Sequence, residues 1–212
     1  MTLKILYDNS VFLAGLKADW GFSCLVEAHR RAILFDAGAN GSVLLDNMKK
    51  LHVAPASIDE VFISHSHFDH IGGLSAFLNK NHNVKIYVPI SPRGIRDAKE
   101  IISVSEPREL HEGFFSTGEL KHIEQSLIVK TQNGLVVIVG CSHSEIGNIF
   151  RAASRYGKIY AVIGGLHGFE EFDLLEDLGM VCPTHCTRNI GEIRSRYPEK
   201  YVEGGAGKVI EI

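Results

Sequence analysis

No apolar stretch of this 212-residue chain approaches the ~20 residues that span a bilayer; the longest runs, such as residues 135–139, have the length of a strand. A membrane protein is therefore not expected. The opening MTLKILYDNS lacks the apolar core and cleavage site of a secretory signal, so a cytoplasmic location is expected. There is no block of Lys or Arg, and 22 basic against 25 acidic residues give a net charge of −3. A nucleic-acid binder held by phosphate contacts is not expected from such a balance. Cysteine is sparse: Cys24, Cys141, Cys182 and Cys186 read as small buried residues in a reducing compartment, not as a disulfide framework. No low-complexity tract or Pro/Ser-rich linker interrupts the chain, and its length fits one domain over residues 1–212. With 45% hydrophobic and 22% charged residues, it has enough apolar mass for a core, which excludes disorder.

What the chain has in plenty is histidine, eleven in all. His is the commonest metal ligand, so the question is whether these residues are scattered or organised. Strands are predicted at 3–7, 23–27, 32–36, 61–64, 85–89, 127–130, 135–139, 159–163, 180–182 and 209–212. Asn133-Gly134 marks a hairpin between two of them. Helices are predicted at 42–51, 74–79, 146–156, 172–178 and 190–196. Ser91-Pro92-Arg93-Gly94 is a turn signal, and residues 90–118 are otherwise hard to read. Strands that cluster first and then alternate with helices imply an α/β arrangement of sheet layers with helices outside. Four apolar runs each lead into a histidine: His65, His143, His167 and His185. Loops leaving strand ends form the usual crevice of such sheets, so these four can converge. His29, His52, His82, His111 and His122 lie in turns or mixed segments and read as surface residues.

One run is dense. His65-Ser66-His67-Phe68-Asp69-His70, followed by Ile71-Gly72-Gly73-Leu74, has the pattern HxHxDH. Chance would give it on the order of 10⁻³ times at this chain's composition. His65 and His67 project to one side of an extended backbone and can chelate one ion. Asp69 and His70 follow at a turn and can reach a second. Closed structural zinc sites use Cys₄ or Cys₂His₂ sets, whereas a His/Asp set suits a borderline metal with open positions.

The run resembles the metallo-β-lactamase superfamily signature. The resemblance extends to an early strand ending in Asp36-Ala37-Gly38 and a late one ending in Thr184-His185. Asp8-Asn9, Thr117-Gly118-Glu119, Gly140-Cys141-Ser142-His143, Gly164-Gly165-Leu166-His167 and Thr184-His185-Cys186-Thr187 are similar to the 7,8-dihydropterin-6-methyl-4-(β-D-ribofuranosyl)-aminobenzene-5′-phosphate synthase group. Arg188 departs from it, standing where that group has Gly, and residues 80–117 form a shorter stretch than the group carries.

The resemblance implies an αββα four-layer sandwich of two mixed sheets with helices outside. It implies one metal on His65, His67 and His143, and a second on Asp69, His70 and His185. The metal implied is zinc, one or two ions, with manganese or iron as the other candidates. Many relatives place a bridging Asp where this chain has Gly140-Cys141. Either Cys141 takes the bridging place, or solvent alone bridges, or one position dominates; as a plain buried residue, Cys141 would only shape the loop. Asp36 is expected to orient a ligating His from behind. His167 reads as a residue that handles substrate or protons, as a further ligand, or as a structural His. Glu119, where several relatives carry a metal His, reads as a substrate contact, a support behind a ligand, or a turn residue. Cys182-x₃-Cys186 has poor spacing for a zinc knuckle, and Gly204–Lys208 reads as a phosphate cradle or a plain turn.

The activity so implied is hydrolysis of an ester, phosphoester or pyrophosphate-activated small molecule by metal-bound hydroxide. Asp69 would be ligand and proton acceptor, and His167 would be catalytic. Transfer of a pterin methyl unit with pyrophosphate loss is the alternative, and a non-catalytic metal-binding or sensing protein is the third. The partner expected is a small molecule, in some cases phosphorylated.

Overall fold

Strand β10 (Gly134–Val139) shows how this chain builds its layers. Its run GLVVIV is apolar at consecutive positions because both faces are covered. Val136 and Ile138 enter one core, while Leu135, Val137 and Val139 enter another on the opposite face. That alternation follows from the two-residue period of a strand.

The computed structural model describes residues 1–90 and 98–212; the turn expected at Ser91-Pro92-Arg93-Gly94 lies outside the described residues. The first sheet contains β1 (Thr2–Tyr7), β2 (Ser23–Ala28), β3 (Arg31–Phe35), β4 (Glu60–Phe62), β5 (Lys85–Val88), β6 (Glu100–Ser103) and β13 (Val209–Glu211). Their spatial order is β13-β1-β2-β3-β4-β5-β6, antiparallel from β13 to β3 and parallel from β3 to β6. The second sheet contains β7 (Arg108–His111), β8 (Phe114–Ser116), β9 (Leu127–Thr131), β10, β11 (Ile159–Gly165) and β12 (Met180–Thr184). Its order is β12-β11-β10-β9-β8-β7, parallel at β10–β12 and antiparallel elsewhere.

The inner faces of both sheets meet in one core that includes Leu3, Val26, Phe35, Phe62, Val129, Ile138 and Ile163. The outer face of the first sheet is covered by α1 (Gly41–Lys50) and α3 (Leu74–Leu78), through Leu44, Met48, Leu74 and Phe77. The outer face of the second is covered by α4 (Ile146–Ala153) and α5 (Ile190–Arg196). Ile146, Ile149, Phe150 and Ala153 sit on the buried stripe of α4 at helical spacing. The chain is thus an α/β protein with the αββα order of layers.

Three strands escaped the sequence reading. β6 and β7 are the outer edges of their sheets, and β8 lies next to β7. Edge strands carry charge to resist further pairing, and Glu100, Arg108 and Glu109 blur the apolar alternation. The helix expected at 172–178 is a single 3₁₀ turn, Phe172–Leu175. It has no side-chain cap, and its bonds run from Glu176 N to Asp173 O and from Leu178 N to Leu175 O. One uncapped turn does not cover the cost of helix nucleation. Pro183 is tolerated inside β12 because that strand is an edge of its sheet.

Candidate metal centre

The loops leaving β3, β4, β10, β11 and β12 gather at one end of the sandwich. Asp36 leaves β3, and Ser64 to His70 leave β4 through α2 (Phe68–Ile71). Cys141 and His143 leave β10, His167 leaves β11, and His185 and Cys186 leave β12. Asp36, Ser142, His167 and His185 all have left-handed φ, between 46° and 55°. Non-glycine residues pay of order 1–3 kcal/mol each for that conformation, a cost that collects at functional sites.

Two triads of donor atoms result. The donors of His65, His67 and His143 lie within 4.8 Å of one another, and so do those of Asp69, His70 and His185. Ring centroids are 4.5 Å apart for His65–His67, 5.0 Å for His65–His143 and 4.7 Å for His67–His143. In the other triad, Asp69 Oδ2 is 3.2 Å from His185 Nε2 and 3.8 Å from His70 Nε2. His65 and His70 lie side by side, 4.2 Å between centroids, so the triads adjoin.

Three of these rings are held from behind. Asp36, fully buried, accepts from His70 Nδ1 at 2.7 Å and from the Ser64 amide and hydroxyl, each at 2.7 Å. Since the Ser64 hydroxyl donates to Asp36, it accepts from His65 Nδ1 at 2.8 Å. Asn9 Oδ1 accepts from His185 Nδ1 at 3.0 Å, and the Asn9 amide donates to the His185 carbonyl. Asp8 accepts from the His185 backbone N–H. Each partner fixes its imidazole in the tautomer that leaves the Nε2 lone pair facing the centre.

That lone pair tests whether a metal fits. Nε2 of His65, His143 and His185 is buried without a hydrogen-bond partner. Buried nitrogens of this kind are costly unless something binds them. Burial, followed by neighbouring rings, holds His65 well below the usual imidazole pKa, so it is neutral and able to ligate. Burial pushes the Asp69 carboxyl up, but His185 and His70 outweigh it and leave the group below the usual carboxylate range. The donor set suits a divalent cation. His67 is exposed, so the centre opens to solvent on that side.

The structure treats the remaining candidates differently. Cys141 Sγ is 3.2 Å from His70 Nε2, between the triads. The His167 ring stands 5.2 Å from that of His143, outside both triads, and lines a cavity of about 380 Å³ with His143, Leu166 and Phe169. Glu119 stands in neither triad; its carboxylate accepts from the Ile90 amide at 3.1 Å and lines a separate cavity of about 540 Å³. Ser64, Asn9 and Asp8 were not foreseen as parts of this site. The sequence signal for Asp8-Asn9 was their place among the stretches similar to the pterin synthase group, with no part in the metal site implied. His111, expected at the surface, is half-buried against Glu60, 2.7 Å from its carboxylate.

An αββα sandwich carrying an HxHxDH run beneath converging strand-exit histidines defines a class, and part of this chain matches the metallo-β-lactamase superfamily. The model of that superfamily matches residues 21–124. The chain is similar to the 7,8-dihydropterin-6-methyl-4-(β-D-ribofuranosyl)-aminobenzene-5′-phosphate synthase of Methanocaldococcus jannaschii, with 26% identity over 263 residues, 90% of this chain and 89% of the relative. A solved metal-dependent hydrolase of the β-lactamase superfamily shares 25% identity and a TM-score of 0.81, covering 100% of this chain and 99% of that one. A metallo-β-lactamase fold protein from Bacillus subtilis, 14% identical with a TM-score of 0.73 and covering 100% and 99%, shares the fold.

Proposed function

We propose that the chain is a metal-dependent hydrolase that cleaves an ester, phosphoester or pyrophosphate-activated small molecule. The observation that carries this reading is the pair of adjoining triads with their unpartnered, buried Nε2 atoms. His65, His67 and His143 would hold one ion, and Asp69, His70 and His185 a second. Zinc suits the imidazole-rich set, with manganese or iron as the other candidates. Such an ion supplies water activated to a pKa near 7 and a positive charge against developing oxygen charge.

The chain's own residues do the rest. Asp69 faces the centre and is only partly exposed, so it can take a proton from an attacking water at Oδ2. His167, in the adjoining cavity, can return a proton to the leaving group. That cavity, at about 380 Å³, is of the size that small-molecule ligands occupy. The exposed side of His67 favours an open, reactive centre over a closed binding or sensing site. The free thiols suit a reducing, cytoplasmic setting, and the near-neutral charge suits a small-molecule partner and not nucleic acid.

A second reading is supported by the coverage of the pterin synthase, which aligns with nine-tenths of this chain. In that reading the same residues would steady a departing pyrophosphate while a pterin methyl unit is transferred. A screen of phosphodiester, lactone, thioester and pterin-pyrophosphate substrates on the zinc- and manganese-loaded chain separates the two. Hydrolysis is expected, with His67→Ala and Asp69→Ala each losing at least about 100-fold in turnover while staying folded. Metal-dependent activity retained in both variants would contradict the reading, and transfer without hydrolysis would select the synthase.

A further inference from the structure

Cys141 belongs to neither triad and lies against both. Its Sγ is grouped within 4.8 Å with the donors of His65 and His70, and again with those of His185 and Cys186. His70 Nε2 lies at 3.2 Å and Cys186 Sγ at 3.4 Å. Glycines make this approach possible. A Cβ at Gly165 would strike the Gly140 carbonyl and come within 2.7 Å of Cys186 Sγ. A Cβ at Gly140 would strike the Ser64 hydroxyl and come within 3.2 Å of His65 Nδ1. The exits of β4, β10 and β11 therefore close up until only hydrogen fits between them, and the two sulfurs fall at the junction.

Charge gives the junction a purpose. Among the six triad residues only Asp69 carries a negative charge. Two divalent ions in a largely buried site need more compensation than one carboxylate supplies. Asp36 is committed behind His70 and Ser64.

We propose that Cys141 is a sulfur ligand shared by the two metal positions. Cys186 is its positioning residue: it donates its S–H to the Cys141 sulfur. On metal binding the Cys141 thiol proton leaves to solvent, as ligation by thiolate requires. A sulfur ligand biases the centre toward zinc or iron and away from manganese. The proposal rests on the metal reading given above.

Cobalt(II) tests both separately. The chelator-stripped chain is loaded with two equivalents under reducing conditions. Visible absorption reports bound cobalt, and a near-ultraviolet sulfur-to-cobalt charge-transfer band reports sulfur ligation. Both are expected in the native chain and in Cys24→Ser, whose thiol lies in the core between the sheets. Cys141→Ser is expected to lose the charge-transfer band and keep visible absorption. Should that variant not fold, Cys141→Asp decides, with the band lost and both equivalents bound. Bound cobalt without the band in the native chain overturns the proposal. So does a band that survives either Cys141 variant, or one lost only in Cys186→Ser. Absence of visible absorption in the native chain overturns the metal reading itself.

Discussion

Three imidazoles at the centre are locked by three different partners: His65 by a serine hydroxyl, His70 by a carboxylate and His185 by a carboxamide. Asp36 has the largest share, since it holds His70 directly and His65 through Ser64. Asp36→Asn removes the charge and one acceptor, so zinc affinity is expected to fall roughly 10–100-fold. Competition against a chromophoric chelator measures this, and unchanged affinity would remove Asp36 from its supporting place. The candidate ligands were legible in the sequence because four of them fall within six residues, and the other two end apolar runs. Asp36 was legible at the exit of its strand. Asn9 was not: its partner His185 is 176 residues away, and no local pattern reports a contact of that kind. Ser64 was hidden by being an ordinary residue beside a conspicuous motif.

At the scale of elements, α1 shows what local chemistry contributes. Asn40 caps it, with Oδ1 accepting from Ser42 N at 3.0 Å and Val43 N at 3.5 Å. Lys49 and Lys50 in the last turn oppose the negative end of the dipole. Asn40→Ala is expected to cost about 0.5–2 kcal/mol, read from the urea midpoint at unchanged slope. No change in midpoint would show that tertiary packing alone sets this helix. Elements with a buried stripe or face were readable within a residue or two, as for α3 and the β9–β10 hairpin. The edge strands β6 and β7 were not, because solvent on one side permits charges that break the period. The 3₁₀ turn at Phe172–Leu175 shares the apolar spacing of a helix without the caps or length to become one.

At the scale of the whole molecule, the two sheets are joined by their apolar core and by a polar clasp. Glu60 and Tyr87 of the first sheet meet His111 of the second: Tyr87 donates to Glu60 at 3.4 Å, and His111 Nε2 lies 2.7 Å from the same carboxylate. Burial, then the Glu60 charge, pushes the Tyr87 phenol from 10.0 up to about 12. Between those values the unfolded chain gives up the phenol proton while the folded chain keeps it. Stability from this group is whole below about pH 10 and is lost as pH rises through about 12. Tyr87→Phe should therefore flatten the alkaline decline in unfolding free energy over that window, and an unchanged slope would contradict the assignment. The sandwich gathers its strand exits at one end, and the candidate metal centre is the consequence of that arrangement. Zinc titration of the chelator-stripped chain, followed by calorimetry, tests this most directly. The account predicts two tight equivalents per chain, one of them lost in His67→Ala and a raised melting temperature with both bound. A chain that takes up no stoichiometric zinc, or binds it equally well in His67→Ala, would contradict it.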